Sequence, residues 1–442
     1  MPHFVFELGM EEMPAGFLPG LEAKSAELFS ELLESSYIPF SEIEVVSTPR
    51  RLVVDISEMA STQNRREEVL IGPPKNRAYD EQGNLTRAGQ GFLRSQAVQE
   101  EELFIKSTDR GEYLAVLKTL GGGDTLSQLP GICSEVIKRL PLPKKMRWEA
   151  TGFSFGRPIR WLLALLDQTV VPVSIASKNA GRLTFGHRVL GPGPFEVSDA
   201  DSYFDIIKEQ GKVILGIQNR AERIQNQGRE LAAANNGKVV WKENLLQEVS
   251  CLVEYPRPVL GEFSRDFLQL PRQVLLTCME SHQKCFGVED DQGRLLPFFL
   301  TTLNLEPQDL DLVKTGWERV LRARLEDAAF FWKADSRVSL EEWGEELNKV
   351  VFLGPLGSMG DKSRRLVRVS GFLTDQLAPD LKSELSRAAR LAKTDLVSEM
   401  VGEFATLQGI MGSIYARQKG ESEGVSQAIF EHYLPTGQES LV

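Results

Sequence analysis

The chain has 442 residues, and 51 Lys plus Arg against 62 Asp plus Glu give a formal net charge of −11. At about 150 residues per domain this length makes about three domains, and 42% hydrophobic with 26% charged residues exclude a disordered or collagenous chain. The longest apolar stretch, Trp161 to Leu166, is stopped by Asp167, far short of the ~20 residues that span a bilayer, so no membrane partner is expected. The opening MPHFVFELGMEE carries no Lys or Arg before its apolar residues and reads as neither a secretory signal nor a transit peptide. Four cysteines are too few for a disulfide framework, which points to a reducing, cytoplasmic compartment. The acidic balance argues against a general nucleic-acid coat protein but leaves room for local basic patches.

In chain order, Phe4 to Leu8 reads as a strand. Pro14 and Pro19 then introduce an amphipathic helix, with Leu18, Leu21, Leu28 and Leu32 on one face, ending near Ser35-Ser36. A strand is predicted at Leu52 to Ile56 and a hairpin from Leu103 to Thr119, turning at Asp109-Arg110-Gly111. Gly121-Gly122-Gly123 is the most linker-like point of the first half. Further strands are expected at Val170 to Ile175, Val213 to Ile217 and Glu248 to Val253. After Leu305 the pattern turns helical. Trp317, Leu321, Leu325, Ala328 and Trp332 recur every three or four residues, and a second helical block runs from Asp380, with Val397, Met400, Phe404, Leu407, Met411 and Ile414 as its apolar stripe. Thr436 to Val442 read as a polar tail. The fold class is therefore α+β multidomain, with a mixed N-terminal two-thirds and a helical C-terminal third.

Several strings invite a chemical reading. Gly354 to Ser363 approaches a phosphate loop, but Asp361 separates Gly360 from Lys362 and its carboxylate would repel phosphates, so a helix-joining loop is expected. Cys278, His282 and Cys285 lie at i, i+4 and i+7, one face of a helix, without a clear fourth zinc ligand; Cys251 sits in an apolar strand pattern. No metal site is assigned. None of the four histidines precedes an aspartate, so an HD phosphohydrolase has no ligand set, and no Gly-x-Ser-x-Gly nucleophile motif occurs. Glu11-Glu12 reads as a solvated helix entry. No catalytic residue is assigned.

The basic clusters are more suggestive. Lys144, Lys145 and Arg147 precede Trp148, and Arg157 and Arg160 precede Trp161; cations interleaved with tryptophans can hold phosphates while the rings stack on bases. Arg319, Arg322 and Arg324 charge one helix. The bland alternative is a solvated face, with Glu318, Glu326 and Asp327 as neighbours one helical turn away.

Long strings together resemble one family, the β subunit of the bacterial heterotetrameric glycyl-tRNA synthetase. They include FELGMEEMPAGF (Phe6 to Phe17), TPRRLVV (Thr48 to Val54), GPPKNRAYDEQGNLTRAGQGF (Gly72 to Phe92), KKMRW (Lys144 to Trp148), FGRPIRWLLALL (Phe155 to Leu166) and FGHRVL (Phe185 to Leu190). The series continues through LVEYPRPVLGEF (Leu252 to Phe263), MESHQKCF (Met279 to Phe286), ERVLRARLEDAAFFWKAD (Glu318 to Asp335), AKTDLVSEMVGEF (Ala392 to Phe404), LQGIMGSIYA (Leu407 to Ala416) and EHYLP (Glu431 to Pro435).

The resemblance implies an α2β2 glycine–tRNA ligase in which β binds tRNA(Gly) and α activates glycine. ATP and Mg are then expected on α, with no cofactor on this chain and no DNA partner. It implies an N-terminal portion similar to a domain of the phenylalanyl-tRNA synthetase β subunit. The helical portion would resemble an HD domain that has lost its metal ligands, with Ala392-Lys393-Thr394-Asp395 where the His-Asp pair would stand. The ranges expected are 1–120, an α+β region; 121–305, the phenylalanyl-type domain; 306–345, a helical connector; and 346–442, the HD-like domain. Family members continue past EHYLP into an anticodon-binding domain, so the chain reads as a shortened form. Family members usually lack cysteines at the positions of Cys278 and Cys285. The expected phosphate contacts are Lys144, Lys145, Arg147, Arg157, Arg160, Arg319, Arg322 and Arg324. The rival readings are a metal-dependent HD phosphohydrolase and an aminoacyl-tRNA editing module.

Overall fold

The computed structural model describes residues 2–80, 82–435 and 437. The tail expected from Thr436 lies outside the described residues, Gly437 aside. The fold is mixed α+β and divides into two compact units: Met1–Arg220 with Cys251–Tyr255, and Ala221–Ser250 with Pro256–Val442. The range 121–305, expected as one domain, straddles this division.

The first unit is built on a five-stranded antiparallel sheet. Its order is Thr169–Val170, Ile159–Leu166, Phe4–Met10, Arg51–Ser57, Glu42–Thr48. The central strand is buried along its whole length because both of its faces are covered. Phe4, Phe6, Leu8 and Met10 share a core with Leu28 and Phe29 of the helix Leu18–Ser35 and Val136 of the helix Thr125–Arg139, while Val5 meets Val53, Leu163 and Tyr203 on the other side. The two-residue period of a strand puts Glu7 on Val5's face, inside the protein. Gly9 stands opposite Trp161 in the ladder, and a Cβ there would lie 2.0 Å from the indole; only glycine lets that ring lie across the strand. Pro19 falls in the first turn of the helix Leu18–Ser35, where its missing N–H costs nothing. The predicted hairpin forms as Leu103–Thr108 and Gly111–Leu120, with Arg66–Pro74 pairing to the latter.

The second unit carries a four-stranded antiparallel sheet ordered Lys238–Val239, Phe286–Glu289, Leu295–Leu303, Arg257–Glu262. Ile224, Val249, Phe286 and Leu300 close its core. The long helix predicted around Trp317 runs over Leu310–Asp335 and buries Leu321, Leu325 and Ala328. Four of the apolar-stripe residues, Met400, Phe404, Leu407 and Met411, do pack together with Leu325, but from several short helices rather than one.

Three strand expectations need correction. Val170 to Ile175 breaks into Thr169–Val170 and Ser174–Ile175, with Pro172, which cannot donate to a ladder, between them. Val213 to Ile217 forms no strand: Gly216 turns left-handed (φ +80°) and Ile217 opens the helix Ile217–Ala233. Glu248 to Val253 spans the end of the helix Glu243–Ser250, whose Leu245, Leu246 and Val249 keep a helical spacing that a six-residue window cannot show. Cys251 therefore sits in a turn. Among the described residues no helix is long and apolar enough to cross a membrane.

Candidate nucleic-acid interface

In the first unit Lys144, Lys145 and Arg147 are exposed, the last on a two-residue strand paired with Ser154–Phe155. None of the three makes a hydrogen bond or ion pair with the described residues. Arg157 is different: its Nε donates to the Glu12 carbonyl at 3.0 Å and its Nη1 to the Gly156 carbonyl at 3.0 Å, clamping backbone. Arg160 pairs with Glu11 at 3.2 Å, and Arg188 reaches the same carboxylate at 3.0 Å. Glu11 and Glu12, expected as solvated helix-entry residues, are thus salt-bridge acids; as surface pairs they contribute about 0–1 kcal/mol each. Trp161 is turned into the protein. It is 7% exposed, with the guanidinium carbons of Arg50 and Arg51 5.7 and 5.6 Å from its ring centroid and Phe185 at 5.1 Å. The protein's own cations occupy it. Trp148 packs edge-on against Phe153.

Beneath this surface lies a charge network that sequence reasoning missed. Arg51 is fully buried, and its Nη1 reaches Glu7 at 2.8 Å and the Phe185 carbonyl at 2.7 Å. Its Nε and Nη2 both donate to Glu254 Oε1 at 3.2 Å. Thr48 and Thr184 donate to Glu254 and Glu7 at 2.6 Å, and Arg50 adds a longer contact to Glu254 at 3.5 Å. Burial would lower the Arg51 pKa, but Glu254 and Glu7 outweigh it and hold the guanidinium firmly charged. Burial likewise works against the Glu254 carboxylate, yet Arg51, Thr48 and Arg50 keep its pKa below the ordinary value. With both carboxylates matched by cations and hydroxyls, the network is a structural clamp that fixes 251–255 against the sheet.

In the second unit Arg319 and Arg322 are exposed on the helix Leu310–Asp335 and bond to none of the described residues. Of the three carboxylates expected as neighbours, Glu318 is otherwise engaged, and Glu326 and Asp327 form no ion pair among the described residues. Glu318 accepts the Glu262 N–H at 3.0 Å and lies 3.6 Å from Lys314. Arg324 is half-buried, 3.9 Å from Glu403.

The remaining motifs resolve as follows. The helix Arg272–Gln283 carries Cys278 and His282, but Lys284 turns left-handed (φ 53°) and ends it, so Cys285 is not on that face. Its Sγ donates instead to the Gln283 carbonyl at 3.3 Å, and burial pushes both thiols up to about 12. In Gly354 to Ser363, the strands Val351–Leu353 and Gly357–Ser358 pair, and the helix Met359–Leu377 starts with a capping box. Asp361 accepts the Ser358 N–H at 2.9 Å, so its own carboxylate fills the helix end where a phosphate would sit.

Asp395 is buried. Its Oδ2 accepts the N–H groups of Gly409 at 2.6 Å and Gly412 at 3.0 Å, while Oδ1 has no partner among the described residues. Gly409 is left-handed (φ +77°), which aims its N–H at the carboxylate ahead of the helix Ile410–Gln418. Burial pushes the Asp395 carboxyl up to about 6 despite these bonds. Beside it, the Lys393 ammonium donates to His432 Nε2 at 2.7 Å and lies 3.6 Å from the Tyr433 ring centroid. The His432 Nδ1–H is taken by the Ile429 carbonyl at 2.6 Å. Burial lowers Lys393 to about 8 and His432 to about 4.

Over residues 4–442 the chain matches the family model described as Glycyl-tRNA synthetase beta subunit. It is 51% identical over 442 residues to the glycine–tRNA ligase beta subunit of Nitratidesulfovibrio vulgaris, covering 100% of this chain and 64% of that protein. Identity to the corresponding subunit of Oleidesulfovibrio alaskensis is 52% with the same coverage, and to that of Syntrophus aciditrophicus 41% over 431 residues, 98% of this chain and 62% of the relative. The chain thus spans a little under two thirds of the length of the curated relatives it matches.

Proposed function

We propose, from the premise that this chain belongs to the glycyl-tRNA synthetase β-subunit family, that it serves a cytoplasmic glycine–tRNA ligase by holding tRNA(Gly) for an α subunit that activates glycine with ATP and Mg. The observation that carries this reading is the set of exposed cations that make no hydrogen bond or ion pair with the described residues: Lys144, Lys145 and Arg147 in one unit, Arg319 and Arg322 in the other. An exposed guanidinium or ammonium that is not already ion-paired can replace the counterions of a phosphate backbone. Arg157, Arg160 and Arg324 are already engaged and would contribute less. The chain's part in catalysis is then positional: binding remote parts of the RNA orders its terminal ribose for reaction on α.

The finer organisation follows the same family reading. The first portion is taken as the phenylalanyl-tRNA synthetase β-type domain and the helical portion as a degenerate HD domain, within an α2β2 assembly. The test is co-expression with the α subunit encoded in the same genome. The reading expects a stable complex that retains tRNA(Gly); a complex that forms and ignores tRNA, or no complex at all, overturns it.

A further inference from the structure

The second unit carries a surface cavity of about 800 Å³ that the tRNA reading leaves without an occupant. Its walls come from the helices Leu340–Glu346, Met359–Leu377 and Lys382–Leu391, and its apolar floor includes Leu347 and Val367. Five arginines line it against three carboxylates, Glu341, Glu345 and Asp361.

Three of these arginines are occupied. Arg364 is held by Asp361 at 2.6 Å and Asn348 at 2.9 Å, Arg365 donates to the Leu356 carbonyl at 3.0 Å, and Arg387 is clamped between Glu421 and Glu341. The other two are not. Arg368, one turn beyond Arg364, and Arg390, one turn beyond Arg387, are exposed and make no hydrogen bond or ion pair with the described residues. A third unused group lies in the same wall: the Ser363 side chain is 7% exposed, and its hydroxyl has no partner among the described residues. A cavity with an excess of positive charge, two guanidinium forks on adjacent helices that make no hydrogen bond or ion pair with the described residues (Arg390 acting on Glu341 only through space) and a spare hydroxyl matches a group with several anionic oxygens at fixed geometry. Its volume lies in the range of small-ligand sites.

We propose that this cavity binds a phosphate ester of nucleotide size, its phosphate oxygens taken by Arg368 and Arg390 and its organic part resting on the apolar floor. The phosphate does not sit at the amino end of the helix Met359–Leu377, which Asp361 fills; it sits farther along, at Arg368. Two sources supply such chemistry, a free nucleotide and the backbone of a bound RNA, and only the second rests on the tRNA reading.

The test compares the wild-type chain with an Arg368→Gln/Arg390→Gln double variant. Both positions are exposed and unbonded, so a melting curve matching wild type is expected and serves as the folding control. In one arm, ADP and inorganic pyrophosphate are titrated calorimetrically into the 442-residue chain alone, away from any nucleotide site on α. In the other, tRNA(Gly) affinity is measured for its complex with α. A loss of about tenfold or more in the first arm identifies a free-nucleotide site, and the same loss in the second identifies an RNA phosphate. Probes that fail to bind wild type, together with unchanged tRNA affinity in the variant, overturn the proposal. So does a folded variant that keeps wild-type affinity in both arms. If the complex ignores tRNA altogether while the nucleotide arm responds, the tRNA reading fails and the cavity assignment stands.

Discussion

The two units each bury a charged centre, and the two differ in how completely they are satisfied. Around Arg51 each carboxylate meets a cation and a hydroxyl, and the charges support one another across the first unit's sheet. Around Asp395 one carboxylate oxygen caps a helix while the other has no partner among the described residues, and the nearby Lys393 donates to His432. Equal burial therefore has opposite consequences. In the first unit the partners outweigh it and keep the charges; in the second it prevails and drives the carboxyl toward its neutral form. Partner completeness, not depth, decides what a buried charge does to stability.

The largest expected effect comes from breaking the complete centre. Arg51→Ala leaves Glu7 and Glu254 buried without their main counter-ion and is expected to destabilise the chain by about 3–5 kcal/mol in urea unfolding; a variant that unfolds at the wild-type midpoint would remove the clamp from consideration. The incomplete centre should respond in the opposite sense. Asp395 ionises near 6 when folded and near the ordinary 3.8 when unfolded, so it favours folding below about pH 4 and loses that contribution as pH rises through 6. Ionising it there costs on the order of 3 kcal/mol. Asp395→Asn removes that loss while His432, held near 4, keeps its own opposite pH dependence, so the variant should gain stability relative to wild type between pH 4 and 6 and be the more stable of the two at pH 8, as seen in paired urea titrations; a difference that does not change with pH would contradict this. Smaller effects sharpen the contrast with ordinary local contacts. Ser358→Ala removes the N-cap of the helix Met359–Leu377 and should cost about 1 kcal/mol. Arg160→Ala, which loses one of the two arginines on Glu11, should shift unfolding by less than about 1 kcal/mol, and a larger loss would show that this pair counts for more than an ordinary surface contact.

Much of the scaffold was readable wherever a periodic pattern ran long enough. The strand from Phe4, the helix Leu18–Ser35, the hairpin at Asp109 and the long helix through Trp317 all follow from their spacing. The misread strands at Val213 and Glu248 are short apolar runs whose conformation is settled by a left-handed glycine and by a helical core face. The candidate interface was only half legible. Sequence shows where cations cluster but not which are already spent. Arg157 is spent on backbone carbonyls, and Trp161 on two arginines. Glu318, which looked able to neutralise Arg322, is drawn away to a backbone N–H. The clamp joins Arg51 to Glu254 across 203 residues of chain, a coupling no local window contains. Cys285 leaves the helix face expected for it because a lysine adopts a left-handed helix end, for which its residue type gives no signal.

The most direct measurement is the affinity of tRNA(Gly) for the complex with α across a salt series, wild type against Arg319→Ala/Arg322→Ala. If these two exposed guanidiniums hold phosphates, the double variant binds more weakly and the slope of log affinity against log salt falls by about 1 to 2. Identical affinity and identical slope would show that this helix face does not touch the RNA.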